Sequence, residues 1–205
     1  GLRLSGAEHR PDLRAVAARR ARPRGARAAP RWRHDGRSAK LSLVPEPRRF
    51  GYYHRLSAKN RAVYRQSDAV TRVPLHDPAA AQPWIAALKQ ALAADDRRAV
   101  QRACNGLGAQ LCADLEVSAV PVRVLARRPA NAVGELHGLY LRHEDGRTEI
   151  RVWMRTAAHE RVVAFRTFLR TLLHELCHHF DYEHLELDDS YHTQGFFQRE
   201  SSLVR

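Results

Sequence analysis

The chain has 205 residues and a hydrophobic content of 44%, enough for one domain of ordinary size with a single sizeable core. Its 35 Lys and Arg outweigh 22 Asp and Glu, which suggests an anionic partner, but the surplus is local: residues 1–50 carry 14 of the basic and 4 of the acidic side chains, leaving a nearly balanced 21 against 18 downstream. Three cysteines without C-x-x-C spacing argue against a disulfide framework and a cysteine-based zinc ribbon, and no apolar run fits a signal peptide or a membrane span, so the chain reads as soluble and cytoplasmic.

From residue 1 to about 40, Arg, Ala, Pro and Gly dominate, with too few large apolar side chains to offset the entropy of ordering. The expectation is a disordered basic tail, suited to contact with DNA; an organellar transit segment and a dispensable extension are the other readings. Pro45 and Pro47 then mark a linker. Val63, Tyr64 and Val70 have helical spacing and predict a helix over 57–73, closed by Pro74. Trp84, Ile85, Leu88 and Leu92 predict a second helix from about 82. A third follows the candidate N-caps Asp95 and Asp96 and runs to about 115, with Gly106 and Gly108 leaving its middle open. Cys104 and Cys112 fall within it and read as small buried hydrophobes.

Beyond Ser118 the period changes to two at Val120, Val122 and Val124, a strand pattern. The runs Leu139-Tyr140-Leu141 and Glu149-Ile150-Arg151-Val152-Trp153 flank Glu144-Asp145-Gly146-Arg147, and an Asp-Gly pair so placed predicts a hairpin. A small antiparallel sheet is expected. A long helix over about 159–182, a polar loop through Leu187-Asp188-Asp189-Ser190 and a last helix from near Gly195 complete the chain.

Within the long helix, His174-Glu175-Leu176-Cys177-His178 is an H-E-x-x-H pattern, in which two histidines one turn apart bind zinc and the glutamate serves as base. At about 100° per residue from Phe165, the side chains of Phe168, Leu169, Leu172, Leu173, Leu176 and Phe180 form one apolar stripe between roughly 300° and 80°. His174 and His178 fall opposite it, at about 180° and 220°, with Glu175 on the shoulder beside them. Neutral imidazoles suit Zn²⁺. Three protein ligands leave a position for water whose pKa falls to about 7, and a carboxylate near that water can take its proton and pass it to a leaving amine.

With His192 fourteen residues beyond His178 and Gly195-Phe196 behind it, this segment resembles the SprT-like family of minimal zinc metallopeptidases, over about residues 136–205. That family commonly has Gly directly after the third histidine, where this chain has Thr193-Gln194-Gly195. The resemblance implies proteolysis of protein or peptide substrates, in a DNA-associated setting. Three residues compete for the third zinc position. His184 has metzincin spacing, but Asp181 stands where those proteins have the turning Gly. Glu200 sits roughly where a gluzincin glutamate would, without the preceding Asn of that group, and reads better as an ion-pair or capping residue. His192 follows a loop long enough to reverse the chain and ranks first.

The expected architecture is α+β, a minimal zincin with N-terminal helices, a small antiparallel sheet, a long active-site helix and a short C-terminal helix. Residues 1–50 form tail and linker, and 51–205 one zincin-like domain. His174, His178 and His192 hold Zn²⁺ and Glu175 is the base of an endopeptidase. The competing reading is a nucleic-acid-binding or assembly protein whose zinc site is structural or degenerate.

Overall fold

The computed structural model describes residues 49–131 and 134–204. The predicted disordered tail over 1–40 and the linker prolines lie outside these residues. After a 3₁₀ turn at Gly51–Arg55, α1 spans Ala58–Ala69, where Ser57 caps the N-terminus by accepting a 3.1 Å hydrogen bond from the Asn60 N–H. It ends before the predicted 73 because the chain turns extended at Val70, ahead of Pro74. Two helices follow, α2 over Gln82–Ala93 and α3 over Arg97–Asp114. Asp96 caps α3 through the Ala99 N–H at 3.0 Å, while Asp95 adopts a left-handed φ of 55° between the two helices. Gly106 does not interrupt α3, and the Trp84 ring of α2 lies directly against it in space that a Cβ would occupy.

Strands β1 (Val122–Arg127), β4 (Gly138–Arg142) and β5 (Thr148–Arg155) form one sheet, and β2 (Ala130–Asn131) pairs with β3 (Gly134–Glu135) in a separate short ladder. The predicted hairpin is present: β4 and β5 pair antiparallel with Tyr140 opposite Ile150, and Gly146 makes the turn at a φ of 84°. The predicted antiparallel sheet is corrected to a mixed one, because β1 pairs with β5 in parallel, Val124 opposite Val152. Alternation in Val120, Val122 and Val124 specifies a strand and an inward face but no direction. Ile150, Val152, Trp153 and Met154 of β5 are all buried, so this strand takes the centre and separates its chain neighbour from β1. The outer edge of β1 is closed by α3, where Asn105 Oδ1 accepts from the Val122 N–H at 2.9 Å and Gln101 Oε1 from the Val124 N–H at 2.8 Å.

The long helix, α4, covers Phe165–Glu183 and starts later than predicted, since Arg155 and Val162 pair in an isolated bridge and Ala164 is still extended. Phe168, Leu172, Leu173, Leu176 and Phe180 enter the main core with α2, α3 and the sheet. After a loop, α5 spans Gln194–Leu203, capped by Thr193. A second cluster of Tyr53, Leu56, Val63, Tyr64, Leu187 and Tyr191 ties the N-terminal turn and α1 to that loop. Gly195 approaches α1 so closely that a Cβ would lie 2.5 Å from the Asp68 carbonyl oxygen. Among the described residues no helix is long and apolar enough to cross a membrane.

Between these elements the Arg199 guanidinium donates to Asp181 Oδ1 at 2.8 Å, to Ser67 Oγ at 2.9 Å and to the carbonyl oxygens of Ser67 and Val70. Both members of the ion pair are almost fully buried. Arg199→Ala is expected to cost about 3–5 kcal/mol by stranding the Asp181 carboxylate, while Arg199→Met with Asp181→Leu costs much less. Denaturant unfolding of both variants checks this, and equal losses would refute a stranded charge as the cause.

Candidate metal centre

His174 and His178 project from α4 on the side opposite its apolar stripe, and the loop before α5 returns His192 to them. One ligand atom from each of the three lies within 4.8 Å of the others. His192 Nε2 is the hub, 3.0 Å from His174 Nε2 and 3.1 Å from His178 Nε2. Nitrogens around a tetrahedral zinc with bonds of about 2.05 Å stand about 3.4 Å apart, so these separations are close to what the ion needs.

The other ring nitrogens of His174 and His178 fix the tautomers of those two residues. His174 Nδ1 is 3.0 Å from Glu200 Oε2, and Glu200 also accepts from Arg170 Nε at 2.5 Å. Burial works against ionisation of Glu200, but the hydrogen bonds from His174 and Arg170 prevail and hold its pKa below the usual carboxyl range. His174 Nδ1 therefore carries the proton and presents its Nε2 lone pair to the cluster. Ser190 Oγ donates to Asp181 Oδ2 at 2.7 Å, so at its 2.7 Å contact with His178 Nδ1 it accepts, and His178 Nε2 is also free. Burial, followed by the neighbouring rings of His192 and His174, pushes the His178 pKa well below the imidazole range. Desolvation first and His174 second lower that of His192 to about 4. Three converging imidazole nitrogens, with Glu200 behind His174 and Ser190 behind His178, are a donor set that fits a divalent ion such as zinc.

Glu175 occupies the shoulder of α4 that the helical count gives it, 6% exposed and lining the same open cleft of about 660 Å³ as His174. Desolvation raises its pKa to about 7, against His174 and a backbone hydrogen bond at Tyr140. A carboxyl whose folded pKa exceeds its unfolded value near 4.5 lowers stability as pH rises between the two, and the loss is complete above about 7. In metal-free protein, Glu175→Gln is therefore expected to stabilise by roughly 3 kcal/mol at pH 8 and by little near pH 4. Equal gains at the two pH values in denaturant unfolding would show that the carboxylate is not desolvated.

His184 and Glu200 do not join the cluster as ligand atoms. The helix continues past Asp181 and ends at Glu183, leaving His184 at the C-cap, while Glu200 supports His174 from behind. Cys104, Cys112 and Cys177 are free and buried, with burial pushing the Cys104 and Cys112 thiols up to about 12 and 11.

Several residues of the centre were not anticipated from the sequence. Asp181 falls at about 160° on the helical count, on the histidine face, a signal that its position alone offered. Ser190, Tyr52 and Gly138 offered none: Tyr52 donates to the His192 carbonyl at 3.0 Å, and a Cβ on Gly138 would collide with the Glu175 carboxylate and lie 2.8 Å from Thr171 Cγ2. His179, next to the motif, is structural, bonded to the Ser118 carbonyl at 2.7 Å and to Tyr140 Oη at 3.1 Å.

Fold and site together define an α+β protein with a three-histidine candidate metal centre on its long helix and the following loop. No family model, curated protein or solved structure matches the chain.

Proposed function

We propose that this chain is a zinc-dependent metallopeptidase of the SprT-like kind. The observation that carries the reading is the convergence of His174, His178 and His192 beside the buried carboxylate of Glu175, at a cleft open to solvent. The three histidines would hold Zn²⁺, which when bound supplies the Lewis acidity that activates water at neutral pH and polarises a carbonyl. Glu175 takes the proton from the attacking water and delivers it to the leaving amine, a role that suits a carboxyl whose pKa is pushed up to about 7. Glu200 and Ser190 keep the imidazoles in the required tautomer and orientation. A structural site has no use for a desolvated glutamate facing the cleft, which favours catalysis over a structural or degenerate zinc site.

Substrates on this reading are proteins or peptides, and DNA association rests on the basic residues 1–40. The test is incubation of zinc-loaded protein with an unfolded protein, with and without DNA, followed by mass spectrometry. Chelator-sensitive fragments are expected. An intact substrate under both conditions, with nucleic-acid binding unchanged by Glu175→Gln, would favour the nucleic-acid-binding class instead.

Gly138 offers a second check on the role of Glu175. Gly138→Ala is expected to keep zinc but to slow hydrolysis roughly a hundredfold, because the new methyl group displaces the carboxylate from the attacking water. Full turnover in that variant would show that the position of the carboxylate is not critical.

A further inference from the structure

We propose that the cleft beside the histidine cluster selects peptide segments with an acidic side chain, and that Arg166 sets this preference, an inference that rests on the metallopeptidase reading for what becomes of the bound peptide. Arg166, Arg170 and His174 follow one another at intervals of four on α4, and all three line the cleft. Eight residues of helix place Arg166 about 12 Å from His174 along the axis. An extended peptide covers that span in roughly three to four residues.

The cleft is lined by two arginines and two glutamates, but these charges are unevenly placed along it. Glu200 is already engaged by Arg170 and His174, and Glu175 is buried against Gly138 at the other end of the cleft. Among the described residues Arg166 is exposed and has neither an ion-pair nor a hydrogen-bond partner. Arg170 is bonded through Nε and its side chain is 62% exposed, leaving its outer nitrogens accessible. The first turn of α4 contains no acidic residue, so Arg166 adds to the positive end of the helix dipole where a carboxylate would offset it. That placement is locally unfavourable for the free helix and favourable for a bound anion. Phe197, 37% exposed, supplies an apolar wall across the cleft. The fork of a guanidinium matches a carboxylate in two hydrogen bonds, which makes an Asp or Glu side chain the fitting occupant.

The experiment measures fluorescence anisotropy of labelled eight-residue-scale peptides bearing Glu, Ala or Lys three to four residues from the centre, using metal-free full chain, which does not turn them over. Arg166→Glu is compared with Arg98→Glu, which makes the same charge change on α3, so that the background from the basic tail is common to both. The parent chain is expected to bind the Glu peptide about tenfold more tightly than the Lys peptide, a salt-sensitive preference that Arg98→Glu keeps and Arg166→Glu levels or reverses. Equal affinities, or a preference untouched by Arg166→Glu, would overturn the proposal. The same peptides are then given to the zinc-loaded chain. Acid-selective binding without cleavage leaves the cleft assignment standing and counts against the metallopeptidase reading, whereas cleavage with no charge preference does the reverse.

Discussion

Glu175→Gln is expected to retain about one zinc per chain and to lose peptide hydrolysis by about a hundred- to ten-thousandfold, the usual contribution of a positioned general base. The amide keeps the shape of the side chain and its packing against Gly138 but cannot accept a proton. Zinc content by elemental analysis and initial rates on an unfolded substrate are the two readouts. Undiminished turnover would remove Glu175 from the mechanism, and loss of zinc in the same variant would place its carboxylate among the ligands. Denaturant unfolding of the zinc-loaded variant separates a fall in activity from loss of the fold.

His192→Ala is expected to weaken zinc binding by about a thousandfold or more, since it removes the ring that stands within 3.0 and 3.1 Å of both helix histidines. Two graded controls accompany it. Glu200→Ala removes the carboxylate behind His174 and is expected to cost about 10- to 100-fold, as loss of an outer partner of a metal ligand does. His184→Ala, at the C-cap of α4, leaves affinity unchanged. Competition with a chromophoric chelator gives all three affinities. Tight binding in His192→Ala, with the larger loss in Glu200→Ala, would exchange the two roles and move the site to the arrangement in which a glutamate is the third ligand.

The order of these three effects could be anticipated only partly from the residues themselves. The helical repeat of α4 was legible because its physics is local: a 3.6-residue period puts Leu172, Leu176 and Phe180 on one face and His174 and His178 on the other, whatever packs around them. The cap at Asp96, the Asp-Gly hairpin and the burial of Cys104 and Cys112 on a helix face were legible for the same reason. The continuation of α4 through Asp181 was also implied by the absence of a turning glycine, and it is what takes His184 out of the site.

What the sequence by itself determined, then, is the five α-helices, the β4–β5 hairpin and the strand character of β1, together with the two histidines and the glutamate that share one helix. The tertiary structure alone decided how distant segments meet. The parallel pairing of β1 with β5 depends on which strand is buried on both sides, a competition among strands that no single strand encodes. The placement of His192 against His174 and His178 depends on Tyr52, Gly195 and the buried Arg199–Asp181 pair, which hold the loop and α5 from segments more than a hundred residues away and from α4. Ser190 and Glu200 became supports of the candidate metal centre only when loop closure brought their polar atoms to the outer nitrogens of His178 and His174. Such contacts follow from chain reversal and packing over long sequence separations, whereas helical and strand periodicity reports only on neighbours within a turn or two.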